Sequence, residues 1–249
     1  MIDNAEAERL KNHAAAFATR GRGFVAETSD QTFAASGPCT LDVCVGLPPS
    51  VRLPATPVLD QRQTSTCLAQ AICDGVLVKA KIQGVHKARL FSRLWVYLHA
   101  RPDPSIDAGI SFSAAVNAFN MRGAPAEEHW PFDPDQVTSQ APPEAGQHAW
   151  SEIGKFKFHP LDSVDEVAAA LAQACPVVLG LGTLFGGPHA VLIVGYEFRD
   201  GELWFLIKNS WGKSYGEGGY VWISARAIDA DRIGLLGVDW APSPTEDAK

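Results

Sequence analysis

A cysteine becomes a useful nucleophile only when its surroundings favour the anion, because a free thiol is a few per cent ionised near neutral pH. The chain has five cysteines, Cys39, Cys44, Cys67, Cys73 and Cys175. Cys67 opens the apolar run Cys67-Leu68-Ala69-Gln70-Ala71-Ile72, directly after Thr64-Ser65-Thr66. Hydroxyl residues before an apolar run mark a helix start. A thiol placed there meets unpaired backbone N–H groups and the positive end of the helix dipole. Such a thiol also needs a base, and the base needs a third group to hold one tautomer. His189 lies in Gly186-Gly187-Pro188-His189-Ala190, at the mouth of a strand-like run, and Asn209 lies in Lys208-Asn209-Ser210-Trp211-Gly212, where the next run ends. Asp200-Gly201 between those runs is a hairpin signal, which would set the two strands side by side and His189 near Asn209. A developing oxyanion needs donors aimed at it, and Gln61 stands six residues before Cys67, within reach of the Cys67 backbone N–H. Taken singly, each residue has a plainer reading: a small core cysteine, a structural histidine, a turn asparagine. The ordered set is what points to thiol chemistry.

These residues need elements to hold them. Helices are expected from about Asp3 to Arg20, from Cys67 to Gln83, from Leu90 to His99, over Ser111–Met121, and after the capping-box sequence Ser163-Val164-Asp165-Glu166. The carboxyl half reads as strands at Val177–Leu181, Ala190–Phe198, Leu203–Lys208 and Gly219–Ile223. Residues 131–150, rich in Pro, Gly and Gln, read as a long connection. A helical front and a β-rich back imply α+β architecture with a cleft between two lobes.

Three separated stretches then resemble one family. Asp60-Gln61 through Thr66-Cys67-Leu68-Ala69, Gly187-Pro188-His189-Ala190 through Gly195-Tyr196, and Lys208-Asn209-Ser210-Trp211-Gly212 are together similar to papain-like cysteine peptidases, as is the tail Gly216 to Ile223. The absence of a disulfide framework resembles bacterial members. The resemblance implies a cysteine peptidase whose nucleophile is Cys67, whose general acid is His189, whose orienting residue is Asn209 and whose oxyanion donor is Gln61. Trp211 would shield the Asn–His bond from water. It also implies a helical left lobe over about 57–140 and a β-barrel right lobe made of 41–56 and 141–249, which together form a peptidase domain at 41–249. Thr64 stands where many members have a disulfide cysteine, Ser65-Thr66 replace Gly-Ser, and Leu68 replaces a tryptophan. Residues 1–40 are shorter than the long helical prosegments of secreted relatives. One expectation is an arm that packs over the cleft and inhibits it intramolecularly, hinged at Gly21-Arg22-Gly23. Ala108-Gly109-Ile110 and Arg232–Leu236 are candidates for the pocket beside the cut bond.

Other functions fit less well. With 21 basic and 28 acidic side chains the net charge is −7, which argues against nucleic-acid binding. No run approaches the ~20 apolar residues that span a bilayer, and no positive-then-apolar leader opens the chain. That leaves a cytoplasmic place or export without a cleavable signal. Cys39 and Cys44 are half of a zinc pattern without its second pair. Gly212-Lys213-Ser214 lacks the earlier glycine of a phosphate loop, and Gly180-Leu181-Gly182 lacks the third glycine of a dinucleotide fingerprint. No cofactor is therefore expected. The expected partner is a polypeptide substrate. Two rival readings share the fold: a thiol acyl transferase of transglutaminase-like type, and an inactive peptide-binding module.

Overall fold

A computed structural model describes residues 4–15, 20, 23–25, 46–85, 87–149 and 156–240. Cys39, Cys44 and most of the expected hinge and arm lie outside the described residues. The architecture is α+β, with seven helices and seven strands among the described residues.

The organising element is α2, Cys67–Ile82, in which fourteen consecutive residues from Cys67 to Ala80 are buried. A helix apolar all round belongs inside a protein rather than on its surface. Here α2 packs against strands β3 (Val177–Leu181), β4 (His189–Arg199) and β7 (Arg232–Trp240) on one side. On the other side it meets α3 (Arg93–Ala100) and α4 (Phe112–Arg122). Its polar residues are paired rather than exposed. Asp74 forms a buried ion pair with Lys208 at 2.6 Å and accepts from Thr56 Oγ1 at 2.5 Å. Burial pushes the Asp74 carboxyl up and the Lys208 ammonium down, and each partner opposes the other's shift. Gln70 Oε1 accepts from Arg93 Nη1 at 2.7 Å.

Helix starts follow the expected chemistry with one exception. Ser92, Ser111, Ser163 and Ser224 accept from backbone N–H groups at the starts of α3, α4, α6 (Val164–Ala172) and α7 (Ala225–Asp231). Thr66 does not cap α2. Its hydroxyl bonds to Thr64 Oγ1 at 2.8 Å and accepts from Gln70 Nε2 at 3.1 Å, so side-chain partners have taken the place of the backbone. The stretch expected to be a plain connection contains a short helix, α5 (Pro143–Ala149), with proline at its tolerated first position.

The strands form one antiparallel sheet in the order β2-β7-β3-β4-β5-β6, with β1 (Ser50–Arg52) added against β4. Here β2 is Phe156–Pro160, β5 is Glu202–Lys208 and β6 is Tyr220–Ser224. The sheet is not closed: the terminal strands β2 and β6 have no ladder between them among the described residues. The right lobe is thus an open sheet rather than the sealed barrel the resemblance implied. Asp200 and Gly201 both adopt positive φ, 49° and 82°, as a two-residue hairpin of strands with right-handed twist requires. This turn fixes the β4–β5 register, with Leu192 opposite Lys208.

Two parts of the amino-terminal region are seated on this frame. Helix α1 (Asn4–Ala15) docks beside β6. The Glu6 carboxylate accepts from Ser224 N and Oγ at 2.8 and 2.7 Å, Arg9 donates to Trp222 O, and Leu10 is fully buried. Further on, Arg20 pairs with Asp60 at 2.7 Å, and Gly23-Phe24-Val25 runs parallel to Gly109-Ile110. Ile110 N donates to Gly23 O at 2.9 Å and Val25 N donates to Ile110 O at 3.0 Å.

Candidate active site

Cys67 is the first residue of α2 and is fully buried. Burial pushes its thiol up, against the downward pull of backbone N–H groups from Gly23, Ala190 and Leu68. The helix-start position thus supplies the expected amides, yet desolvation outweighs them. One of these amides belongs to the amino-terminal segment and another to the residue after His189.

His189 is the first residue of β4 and is likewise fully buried. Its Nε2 lies 2.9 Å from Asn209 Oδ1. The neighbouring bond identifies both partners. Ser210 N, which can only donate, lies 2.7 Å from the same Asn209 atom, so that atom is the amide oxygen. An oxygen accepting from Nε2 puts the ring proton there and turns Nδ1 to the acceptor role. The hairpin explains the meeting. His189 lies three residues before Leu192 and Asn209 one after its partner Lys208, so both sit at the same end of the ladder. Trp211, fully buried, lies over the imidazole with ring centroids 4.6 Å apart, and Phe185 closes its flank at 5.4 Å. His189 and Asn209 are both buried beside these rings.

Gln61 is buried and joined to both sides. Its backbone N donates to Ser210 O at 2.8 Å, its Oε1 accepts from Ser210 Oγ at 2.5 Å, and its Nε2 donates to Thr64 O at 2.8 Å. Ser210 therefore sets the amide so that its N–H side faces the turn leading to Cys67.

Sequence reasoning passed over three contributors. Ser210 lies inside a quoted motif, but its partner is 149 residues away. Asp231, at the end of α7, accepts from Gly182 N, Thr183 N, Thr183 Oγ1 and Leu184 N. It thereby pins the loop that carries Phe185 and leads into His189. Phe24 is the third: it is buried, meets Phe112 edge-on at 5.0 Å, and lies against Gly180. A Cβ at Gly180 would fall 2.7 Å from the Phe24 ring, so the missing side chain is what makes the pocket. Of the two pocket candidates, Gly109-Ile110 lines the segment through Gly23 and Val25. From Arg232–Leu236, Gly234 backs Phe112, where a Cβ would fall 2.5 Å from that ring.

Residues 182–234 match the pattern of the papain family cysteine proteases. That span contains His189, Asn209 and Trp211. Over 90% of its length the chain superposes on xylellain, a cysteine protease from Xylella fastidiosa, covering 97% of that chain with a TM-score of 0.79 at 22% identity. The fold is papain-like, and the stretch 182–234 carries the pattern of the papain family. A likeness at that identity speaks for the fold, and the papain-like chain shares it with digestive procathepsin L2 of Tenebrio molitor as well, at a TM-score of 0.71 and 18% identity. In sequence it is 27% identical over 217 residues to an uncharacterized peptidase C1-like protein of Acanthamoeba polyphaga mimivirus, over 74% of this chain and 69% of that one. Fruit bromelain of Ananas comosus is 40% identical over 68 residues, which spans only 19% of bromelain.

Among the described residues no group of three or more His, Cys, Asp or Glu is arranged to hold a metal, and no helix is long and apolar enough to cross a membrane.

Proposed function

We propose that the papain-like chain hydrolyses peptide bonds through a thioester on Cys67. The observation that carries this reading is the His189 Nε2–Asn209 Oδ1 bond at 2.9 Å under Trp211, because it fixes a tautomer with Nδ1 as the proton acceptor. In the reaction His189 takes the Cys67 proton, and the thiolate attacks the substrate carbonyl. The Cys67 backbone N–H and the Gln61 amide stabilise the oxyanion, protonated His189 gives its proton to the leaving amine, and water resolves the thioester. Asn209 holds the imidazole throughout. No step needs a cofactor.

The same reading assigns the amino-terminal segment a role. Gly23 abuts the thiol and Phe24 fills the adjoining pocket, so residues 1–40 act as an arm that blocks the cleft and must leave before a peptide enters. The peptidase domain is then residues 41–249.

The test is intact mass spectrometry after treatment with a peptidyl epoxide. One adduct on Cys67, lost in Cys67→Ala and slowed in His189→Ala, is the expected result. No adduct on protein whose arm has been loosened would refute the assignment. Release of acyl product onto an added amine in preference to water would favour an acyl transferase instead.

A further inference from the structure

Resting on the peptidase reading, we infer that Asp107 and Tyr97 are positioning residues that hold the nucleophile's turn in register with the edge against which a substrate backbone lies. Ser65 precedes Cys67 by two residues, and its backbone N lies 3.1 and 3.0 Å from Asp107 Oδ1 and Oδ2. Ser65 Oγ donates to Asp107 O at 3.3 Å. The Tyr97 hydroxyl donates to Asp107 Oδ1 and accepts from Gly109 N at 3.0 Å. A continuous path therefore runs from the Gly109 N–H through the Tyr97 hydroxyl and the Asp107 carboxylate to the Ser65 N–H. One end of it is the turn that aims the sulfur. The other is the Gly109-Ile110 edge, which here pairs with Gly23 and Val25.

The middle of the path is rigid. Tyr97 is fully buried in α3, with the Arg101 guanidinium over its ring at 4.2 Å. Arg101 also donates to Ile106 O at 2.7 Å and Val137 O at 2.5 Å, which fixes the loop leading into Asp107. Burial and the adjacent carboxylate push the Tyr97 hydroxyl upward, so it keeps its proton and remains a donor. Gly109 has φ +80°, and a Cβ there would fall 1.7 Å from Gly23 O, so whatever lies on this edge lies directly on backbone. No covalent link does this work here. Among the described residues, Cys67, Cys73 and Cys175 are not joined in disulfides. The carboxylate thus joins two segments 42 residues apart in sequence. A misplacement of about 1 Å between reacting atoms lowers rates by roughly 100-fold, so loss of the path should be read in kcat.

The variants are Tyr97→Phe, Asp107→Ala and Asp107→Asn, each made in the full chain carrying Phe24→Ala so that the arm does not limit access. Two rates are measured: kcat on a fluorogenic peptide, and alkylation of Cys67 by iodoacetamide, which needs the thiolate but not the edge. Thermal unfolding is followed beside them. Tyr97→Phe and Asp107→Ala should lower kcat by about tenfold or more, as loss of a hydrogen bond to a charged group predicts. Asp107→Asn retains an acceptor for Ser65 N and should recover most of it. Alkylation should stay within about threefold of the parent. If Asp107→Ala fails to fold, Tyr97→Phe decides, since it keeps the ring and its packing. Turnover unchanged in folded Tyr97→Phe overturns the inference. So does an Asp107→Asn no better than Asp107→Ala, or alkylation that falls in step with turnover. A parent that takes iodoacetamide but cleaves no peptide overturns the peptidase reading and this inference with it. An active parent beside unimpaired variants overturns the inference alone.

Discussion

Phe24→Ala is the sharpest probe of the arm. Phe24 is 4% exposed and meets Phe112 edge-on at 5.0 Å, in a pocket opened by Gly180. Fully burying a phenylalanine side chain contributes roughly 1.5–3 kcal/mol, and an edge-to-face aromatic pair adds about 0.5–1.5 kcal/mol. Truncation should therefore weaken the seating of residues 23–25 by about 2–4 kcal/mol, which at 1.4 kcal/mol per decade is a roughly 30- to several-hundred-fold rise in the open fraction. Helix α1 should stay docked, because Glu6, Arg9, Leu10 and the Arg20–Asp60 pair are untouched. The assay is the second-order rate of Cys67 labelling by a peptidyl epoxide, full chain against Phe24→Ala, with unfolding temperature as control. The expected rise is about one and a half to nearly three decades with little change in unfolding temperature. Equal labelling of both proteins would refute the reasoning, since the segment would then not be what excludes the reagent.

The remaining predictions concern the frame around the site. Burial is the largest influence holding the Cys67 thiol up, so loosening the arm with Phe24→Ala should move the midpoint of its iodoacetamide pH profile downward; an upward move would contradict this. Asp231→Ala removes the acceptor for three backbone N–H groups of the 182–184 loop, and kcat should fall about tenfold through disorder at His189, read by steady-state kinetics. Gln61→Ala should lower kcat on the order of 100-fold with KM little changed. Asp74→Ala strands the Lys208 ammonium, which is 3% exposed, and should destabilise the fold by about 3–5 kcal/mol in thermal unfolding. Burial already holds Lys208 down and Asp74 is the main opposing influence, so the deficit should shrink as pH rises and the lysine discharges.

What the sequence made legible was local. The starts of α4 and α6 were readable because a serine cap needs a partner only two or three residues away, whereas α3 begins at Arg93 behind Ser92 rather than at Leu90. The His189–Asn209 meeting was readable because one hairpin turn, Asp200-Gly201, carries it. Contacts over long separations left no trace in spacing: Ser210 on Gln61, Asp231 on the 182–184 loop, Asp107 on Ser65. Strand β7 escaped notice because Gly234 and Gly237 break its apolar pattern. Both glycines are packing solutions, since Cβ atoms there would strike Phe112 and His159. The helix-start amides at Cys67 were visible in sequence, but the burial that outweighs them comes from the whole fold and leaves no mark in local spacing.

Helix α2 is shared property of the two lobes, buried along nearly its whole length and riveted to β5 through Asp74 and Lys208. Helices lie on one side of α2 and strands on the other, so a change along it is felt by both. If residues 23–25 block the cleft as proposed, access is set by the Phe24 ring, the Arg20–Asp60 pair and the two backbone hydrogen bonds to Ile110. Under that proposal, selection could retune access at Phe24 or Arg20 without disturbing Cys67, His189 or Asn209.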